Sequence, residues 1–342
     1  MTPITDALQT NCKKCGGVVQ YSPDHENLKC LYCRAIAEID KTAAEIVEND
    51  FNYWEKRAIE EAGDDCMAAT HEVRCTRCGG EAAMPPNVLN AECAFCRTPL
   101  LVSNAAVKRF WKPNYMLPFK VSAKTGRQHF VKWLRKQWLV PSKLLKNAVA
   151  HDALKGVYIP FWTYDAMTTT PYRGENAAAV GNATLNRFFD DVVVPASKTL
   201  DASIIGQLTF WDLQRCVAFR KEFLAGFITE IYQRDFREAI GDAIKQMQPV
   251  IDFAILEEIG GTEPRILFKH PTEYRDVKFK HLLLPVWISA FRYRNKLYQF
   301  VVNGRTGQVV GDCPKSVFKI ALIILGVIAL FAALVALMYD TL

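Results

Sequence analysis

The chain has no phosphate-binding loop of the form G-x4-G-K-[ST], and no G-x-G-x-x-G stretch opens a helix. Without a cradle of backbone N–H groups and a lysine for the phosphates, an ATP-driven motor is excluded as a reading. G-x-S-x-G and H-E-x-x-H are missing as well, so neither an exposed serine nucleophile nor a helical zinc-hydrolase site is signalled. Histidine is scarce, six in 342 residues, and His129, His151, His270 and His281 are scattered without a partner pattern. The N-terminal stretch MTPITDALQTNCKKC has no apolar core of the kind that directs export. A large excess of one charge is missing too: 42 Lys and Arg against 36 Asp and Glu leave a net charge of only +6, short of a dedicated DNA binder. The reading that follows is of a non-enzyme.

Cysteine, by contrast, is plentiful, and its spacing is ordered. Two stretches repeat one pattern 63 positions apart: CKKCGGVVQYSPDHENLKCLYC at 12–33 and CTRCGGEAAMPPNVLNAECAFC at 75–96. A C-x2-C turn presents two thiolates to one ion, and a second such turn completes a tetrahedron. The glycine after the first pair gives the turn access to positive φ, and the 14 residues to the second pair suit a short hairpin. The expected ligands are Cys12, Cys15, Cys30 and Cys33 for one structural Zn2+, and Cys75, Cys78, Cys93 and Cys96 for another. Thioredoxin-like redox chemistry is the lesser alternative. With four cysteines each the sites have no open position for catalysis, and His25 and His71 find no vacancy. Lys13, Lys14, Arg34, Arg77 and Arg97 offset the charge of the tetrathiolates. Cys66, Cys216 and Cys313 read as ordinary small residues.

Residues 320–338 form 19 positions without a charge. At about 1.5 Å per residue they roughly match a ~30 Å hydrocarbon core. Lys315 and Lys319 precede the run and only Asp340 follows, so the positive-inside rule puts the body in the cytoplasm. The expectation is a single-pass, tail-anchored protein of the cytoplasmic (inner) membrane, touching the lipid bilayer through 317–342. Arg292, Arg294, Lys296 and Arg305 are placed to meet anionic headgroups.

Between these landmarks the pattern is α+β. The stretch 39–65 reads as a helical spacer, with Thr42 and Glu45 in capping-box spacing, Gly63 as a stop, and Ile46, Phe51, Trp54, Ala58 and Ile59 near helical period. PNYMLPFKV reads as a strand, AKTGRQHFVKWLRKQWL as a helix stopped by Pro141, and KGVYIPFWTYDAM as another strand. A similar order returns as EFLAGF, then TEIYQRDFREAIGDAIKQMQ broken at Pro249, then a three-stranded meander turning at RYRNK and NGRTG. Pro160/Trp162 and Pro285/Trp287 take the same place in each unit, which suggests an internal duplication of a helix on an antiparallel sheet. Prolines in both strands argue for edges or bulges. The domain division is ribbon 1 (1–40), spacer (41–65), ribbon 2 (66–104), two modules (105–205 and 206–316) and the anchor (317–342). Asp190 and Asp191 read as a turn or cap, since in a regular strand they would point to opposite faces.

The quoted pieces CKKCGG…CLYC, VYIPFWTYDA, FFDDVVVPAS, FLAGFITEIY and FKHLLLPVWISAFRYRNKLYQFVVNGRTGQVVGD, with the apolar tail, resemble bacterial membrane proteins with transcription-factor-IIB-type zinc ribbons. Some of these carry names borrowed from the primosomal helicase, replication factor Y (primosomal protein N′), although motor motifs are absent here. The resemblance implies the eight zinc ligands and no catalytic residue. It implies an accessory role beside stomatin/flotillin-like or phage-shock-like membrane-maintenance proteins. Together these readings give a membrane-anchored scaffold recruiting protein partners. The rival is a membrane-tethered nucleic-acid binder, with KWLRKQW as the candidate contact for a single strand.

Overall fold

The computed structural model describes residues 11–39, 48–57, 67–84, 90–101, 106–141, 154–200, 202–208, 210–293 and 296–340, with backbone only at 67–71, 84, 90–91, 101, 106–109, 202–203, 291–293, 297, 333–337 and 339–340. Most of the expected spacer, including Thr42, Glu45, Ile46, Ala58, Ile59 and Gly63, lies outside these residues, as do Cys66 and His151.

The architecture is mixed α+β with both four-cysteine clusters at the N-terminal end. Strands β1 (Val19–Ser22), β2 (Asn27–Cys30) and β3 (Ile36–Glu38) make the small antiparallel sheet of ribbon 1. After the two-residue β4 (Asn49–Asp50), helix α1 (Phe51–Glu55) is capped by Asp50, whose Oδ1 accepts from the Tyr53 N–H at 2.8 Å. The described part of the spacer is therefore docked: Asp50 pairs with Lys278 across strands, and Phe51 is buried against Phe236 and Phe279. In ribbon 2, β5 (Met67–Arg74) and β6 (Glu81–Met84) form one hairpin, and β7 (Asn90–Glu92) and β8 (Pro99–Leu101) another. Strand β9 (Ala106–Trp111) pairs back on β5.

The body begins with β10 (Tyr115–Met116), α2 (Ala123–Lys136) and the long hairpin β11 (Lys155–Glu175) and β12 (Val180–Pro195). After the short helix α3 (Ala202–Ile205) and β13 (Val217–Ala218), a similar series follows. It comprises β14 (Ile228–Glu230), α4 (Phe236–Ile259), β15 (Arg265–Lys269), and the meander β16 (Glu273–Tyr293), β17 (Lys296–Asn303) and β18 (Val309–Gly311). The chain then enters α5 (Val317–Asp340).

The two series do not form separate sheets. β11 and β16 pair antiparallel down the middle of a single 13-stranded sheet. Their register is symmetric, with Pro160 opposite Leu283 and Tyr158 opposite Pro285. The symmetry extends outward: β14 runs parallel to β11 with Ile228 opposite Val157, and β10 runs parallel to β16 with Tyr115 opposite Leu282. Each short strand thus pairs with the long strand of the other series. The helices exchange in the same way, α2 packing on β17 and β18 and α4 on β11 and β12. Both are started by one device. Trp162 Nε1 donates to the Arg234 carbonyl and Trp287 Nε1 to the Val121 carbonyl, both at 2.8 Å, and each carbonyl directly precedes the N-cap, Asp235 or Ser122.

Pro160 and Pro285 lie in this central pair and not at edges, because each stands where the outer neighbour changes. Beyond Pro160 the partner switches from β14 to β12, and beyond Pro285 from β10 to β17. The missing N–H faces that gap, while the carbonyls still accept from Ala196 N at 3.0 Å and Gly304 N at 2.8 Å. Pro249 likewise does not end its helix. Pro249 is exposed, and the stripe Ala239, Ala243, Met247, Ile251, Ile255 runs unbroken beneath it, so burial offsets a defect of about 3 kcal/mol. Residues 229–230, expected as helix, belong to β14, and EFLAGF forms a 3-10 turn before it.

Alternation along the central pair divides the core. Val157, Ile159, Phe161, Leu282, Leu284 and Val286 face one side, where the knuckles of ribbon 2 and the 200–208 segment cover them. Tyr158, Trp162, Leu283 and Trp287 face the helices. The apolar run 320–338 lies in α5, where Leu322, Leu325, Ile328 and Phe331 are exposed. Among the described residues, which omit the side chains at 333–337, no helix is long and apolar enough to cross a membrane.

Candidate metal centres

Each four-cysteine set closes into a compact cluster, all four sulfurs within 4.8 Å of one another. In ribbon 1, Sγ of Cys12 lies 3.6 Å from that of Cys33, and Cys15 lies 3.5 Å from Cys30. In ribbon 2, Cys75–Cys96 and Cys78–Cys93 are both 3.6 Å apart. A tetrahedron with Zn–S bonds of about 2.3 Å has edges of about 3.8 Å, whereas a disulfide needs about 2.05 Å. The spacing therefore suits four thiolates around a zinc ion and does not suit two disulfides.

The local sequence builds these cages. Gly16 and Gly79 take φ of +71° and +75°, and each N–H returns to the carbonyl of the first cysteine, at 2.8 and 2.9 Å. Arg34 and Arg97 take the matching positive φ after the second pair, +59° and +60°, and the Arg97 N–H returns to the Cys93 carbonyl at 2.9 Å. The second glycines have another role. A Cβ on Gly17 would come within 2.6 Å of the Tyr32 ring, and one on Gly80 within 2.8 Å of Phe95. These rings occupy equivalent places, so each Gly-Gly supplies a turn and then room for an aromatic. Backbone N–H groups of Cys33 and Tyr32 aim at Cys30 and pull its thiol down to about 6, the direction that favours a metal-binding thiolate. His25 is exposed and belongs to neither cluster. The side chain of His71 lies outside the described residues.

The two centres differ in setting. Cys75, Cys93 and Cys96 are buried in the main core with Phe95 and Leu100. The body grips the knuckles of ribbon 2, with Gln233 Nε2 donating to the Gly79 carbonyl at 3.2 Å and Gln299 Nε2 to the Phe95 carbonyl at 3.1 Å. Ribbon 1 is held by its hairpin instead: Tyr21 Oη donates to the Phe119 carbonyl at 3.2 Å, and Tyr21 N to the Ala225 carbonyl at 3.0 Å. Its knuckles project. Leu31 and Tyr32 are 59% and 75% exposed, whereas Ala94 and Phe95, 63 positions later, are 5% and 1% exposed.

Comparison with known proteins adds one relative. The chain is similar to the uncharacterized protein YdjG of Bacillus subtilis (strain 168). Identity is 28% over 226 residues, covering 61% of this chain and 66% of that protein, a little under two thirds of its length. No family model matches the chain, and no solved structure does.

Among the described residues, acidic, basic and histidine side chains are buried at three further places. Glu230, on β14 beside ribbon 2, is 1% exposed. Its Oε1 accepts from Ser197 Oγ at 2.8 Å and Thr199 Oγ1 at 2.5 Å, yet burial pushes the carboxyl up to about 8. His281 sits in the core, its Nδ1 2.8 Å from the Trp111 carbonyl, its ring against Trp162, and burial lowers it to about 4. It is a neutral core histidine. The third group is a charge cluster that sequence reading missed. Asp190 and Asp191 fall in a β-bulge opposite Tyr164–Ala166, with Asp191 at φ of +51°. The extra residue brings both near Asp165, whose Oδ1 accepts from Asp191 N at 2.7 Å. Lys280 Nζ lies among them, 2.7 Å from Asp191, 3.2 Å from Glu48 and 3.4 Å from Asp165. Burial raises Asp165 to about 6. A strand pattern alone gives no sign of a bulge, so the pair reads as a turn.

Other expected contacts divide. Arg305 turns inward, donating to the Pro118 carbonyl and pairing with Asp212 at 3.2 Å, so it does not present its charge to a headgroup. Arg292 and Arg294 have side chains outside the described residues, and Lys296 is exposed. In KWLRKQW, Trp133 packs edge-on against Phe300, while Trp138 is 65% exposed. Cys216 and Cys313 are half-buried, their thiols pushed up to about 12 by burial.

Proposed function

We propose that the protein is a non-enzymatic scaffold, held at the cytoplasmic face of a membrane by α5, whose ribbon 1 docks protein partners. The observation carrying this reading is the contrast between the ribbons. Ribbon 2 spends its knuckles on the core, whereas ribbon 1 turns Val18, Leu31, Tyr32 and Ile36 to solvent around an equally well-formed cage. Projecting apolar residues on a rigid frame are what a docking surface requires. The anchor is read from the sequence, from the 19 uncharged residues 320–338, while no helix among the described residues is long and apolar enough to cross a membrane. The resemblance supplies the expected partner class, stomatin/flotillin-like or phage-shock-like membrane proteins.

The test is affinity purification from gently solubilised membranes with wild type and a Leu31→Ser/Tyr32→Ser variant. The variant should keep two zinc ions and lose a defined partner. Equal recovery of the same partners by both proteins would remove ribbon 1 from the reading.

One observation favours a second reading. The exposed Tyr32 stands on a knuckle with exposed Lys13, Lys14 and Arg34, an aromatic among cations of the kind single strands stack on. Under this reading the protein is a membrane-tethered nucleic-acid binder. It requires salt-dependent binding of single-stranded RNA or DNA that Tyr32→Ser weakens; no binding at low salt dismisses it.

A further inference from the structure

We propose that the outward face of α2, with Trp138 just beyond its end, lies on the headgroups of an anionic bilayer and fixes how the body sits on the membrane. This rests on the reading of α5 as an anchor.

The helix is one-sided. Gly126, Phe130 and Leu134 are buried, Phe130 against Phe300 of β17. The opposite side carries Lys124, Arg127, Lys132 and Arg135, which with Gln128 and Val131 line a shallow groove along the helix. Lys136 is exposed as well. The 14 residues of α2 include five basic ones and no acid. A surface helix in water ordinarily mixes both signs, since i,i+4 pairs stabilise it. A purely cationic face lacks that support and suits an anionic plane.

The position of this face points to lipid as the occupant. Residues closing α2 are tied to the first turn of α5: Ser316 N donates to the Leu139 carbonyl at 2.7 Å, and Lys319 Nζ donates to the carbonyls of Trp138 and Val140 at 2.8 Å. If α5 enters a bilayer, the end of α2 arrives at its surface within about one helical turn, about 5 Å. Trp138, 65% exposed, is the residue found there. An indole with an apolar ring and one N–H donor prefers the boundary between chains and headgroups, which accounts for a large ring left uncovered at this spot. Lys315 and one acid, Asp312, line a depression with Trp138, Lys319 reaches its carbonyl, and the exposed Lys132, Arg135 and Lys136 precede it on α2.

The experiment uses the full chain in nanodiscs containing brominated phospholipid, either phosphatidylcholine alone or with phosphatidylglycerol. Fluorescence of wild type minus that of Trp138→Phe isolates this indole. Its share should be quenched strongly with phosphatidylglycerol, at least several-fold less in phosphatidylcholine alone, and lose that difference in a Lys132→Glu/Arg135→Glu/Lys136→Glu variant. Equal, weak quenching in both lipids overturns the proposal. Retention of the chain through an alkaline carbonate wash separates the two ideas. A retained chain with unquenched Trp138 sinks only the placement of α2, whereas a chain washed away sinks the anchor and this inference together. Salt-dependent quenching by single-stranded RNA in place of bromolipid would assign the face to nucleic acid and also overturn it.

Discussion

Glu230 makes folding sensitive to alkali. Its folded value of about 8 stands above the ordinary 4.5, so the native state holds a proton that the unfolded chain releases earlier. The associated stability is complete below pH 4.5 and is lost as pH rises through 8. Glu230→Gln keeps an acceptor for Ser197 and Thr199 and removes the ionisation. Melting curves of the variant and wild type should agree near pH 4, draw apart between pH 4.5 and 8 and stay apart above it, with the variant more stable by a few kcal/mol at most, on the order of the linkage energy. A variant that melts lower than wild type at alkaline pH would contradict this. Lys280 is the opposite case, a cation whose removal strands Asp165 and Asp191, while Glu48 keeps Lys278. Lys280→Met should lower stability by about 3–5 kcal/mol, as for other broken buried pairs, measured by urea unfolding near pH 7. Neither residue was visible as special in the sequence. Glu230 lies in an ordinary strand-to-helix stretch, and the Asp165 cluster depends on a bulge, which shifts side chains by one position and leaves no periodic trace.

At the level of elements, the two ribbons should respond differently to the same lesion. Cys75→Ser opens a cage that is part of the main core, so the whole body should lose cooperativity and melt lower by several kcal/mol, the scale of a lost structural metal. Cys12→Ser opens a cage whose Cys12 and Cys30 pack beside Phe119 and Tyr158 in a second cluster but whose knuckle faces solvent, so amide exchange should rise most in β1–β3 and least in the central sheet. Elemental analysis should give two zinc ions per wild-type chain and one in Cys12→Ser. The tryptophan devices make a paired test: Trp162→Phe and Trp287→Phe should each cost about 1–3 kcal/mol, leaving an equivalent buried carbonyl without its donor. The cages were the most legible part of the chain. Metal ligation is local, and C-x2-C-G-G spells out the turn, the ligands and the positive φ within five residues. Pro160 and Pro285 misled because a local rule assumes a filled neighbour on both sides, whereas here no N–H is needed where the outer partner changes; Pro249 misled because the buried stripe carries the helix past the lost bond.

For the whole molecule, the repeat of Pro-x-Trp in two strands was readable, but its outcome was not. A sequence shows that two segments are alike; it does not show that each will pair with the other's strand. The proposed anchor belongs to this scale too. Removal of 317–342 should release the body into the soluble fraction with both zinc ions bound, and a body that stays with membranes would mean that another surface holds it.

The exchange of strands and helices between the halves also sets a timetable for synthesis. Tyr115 can meet Ala218 on one side, but its partner on the long strand, Leu282, is made later still, and Phe130 meets Phe300 only near the end of the chain. Until then β10 and α2 leave the ribosome with apolar faces uncovered, and closing such distant contacts is slow. For the same reason, 1–205 and 206–342 produced as separate chains should each aggregate alone and recover a folded sheet when made together.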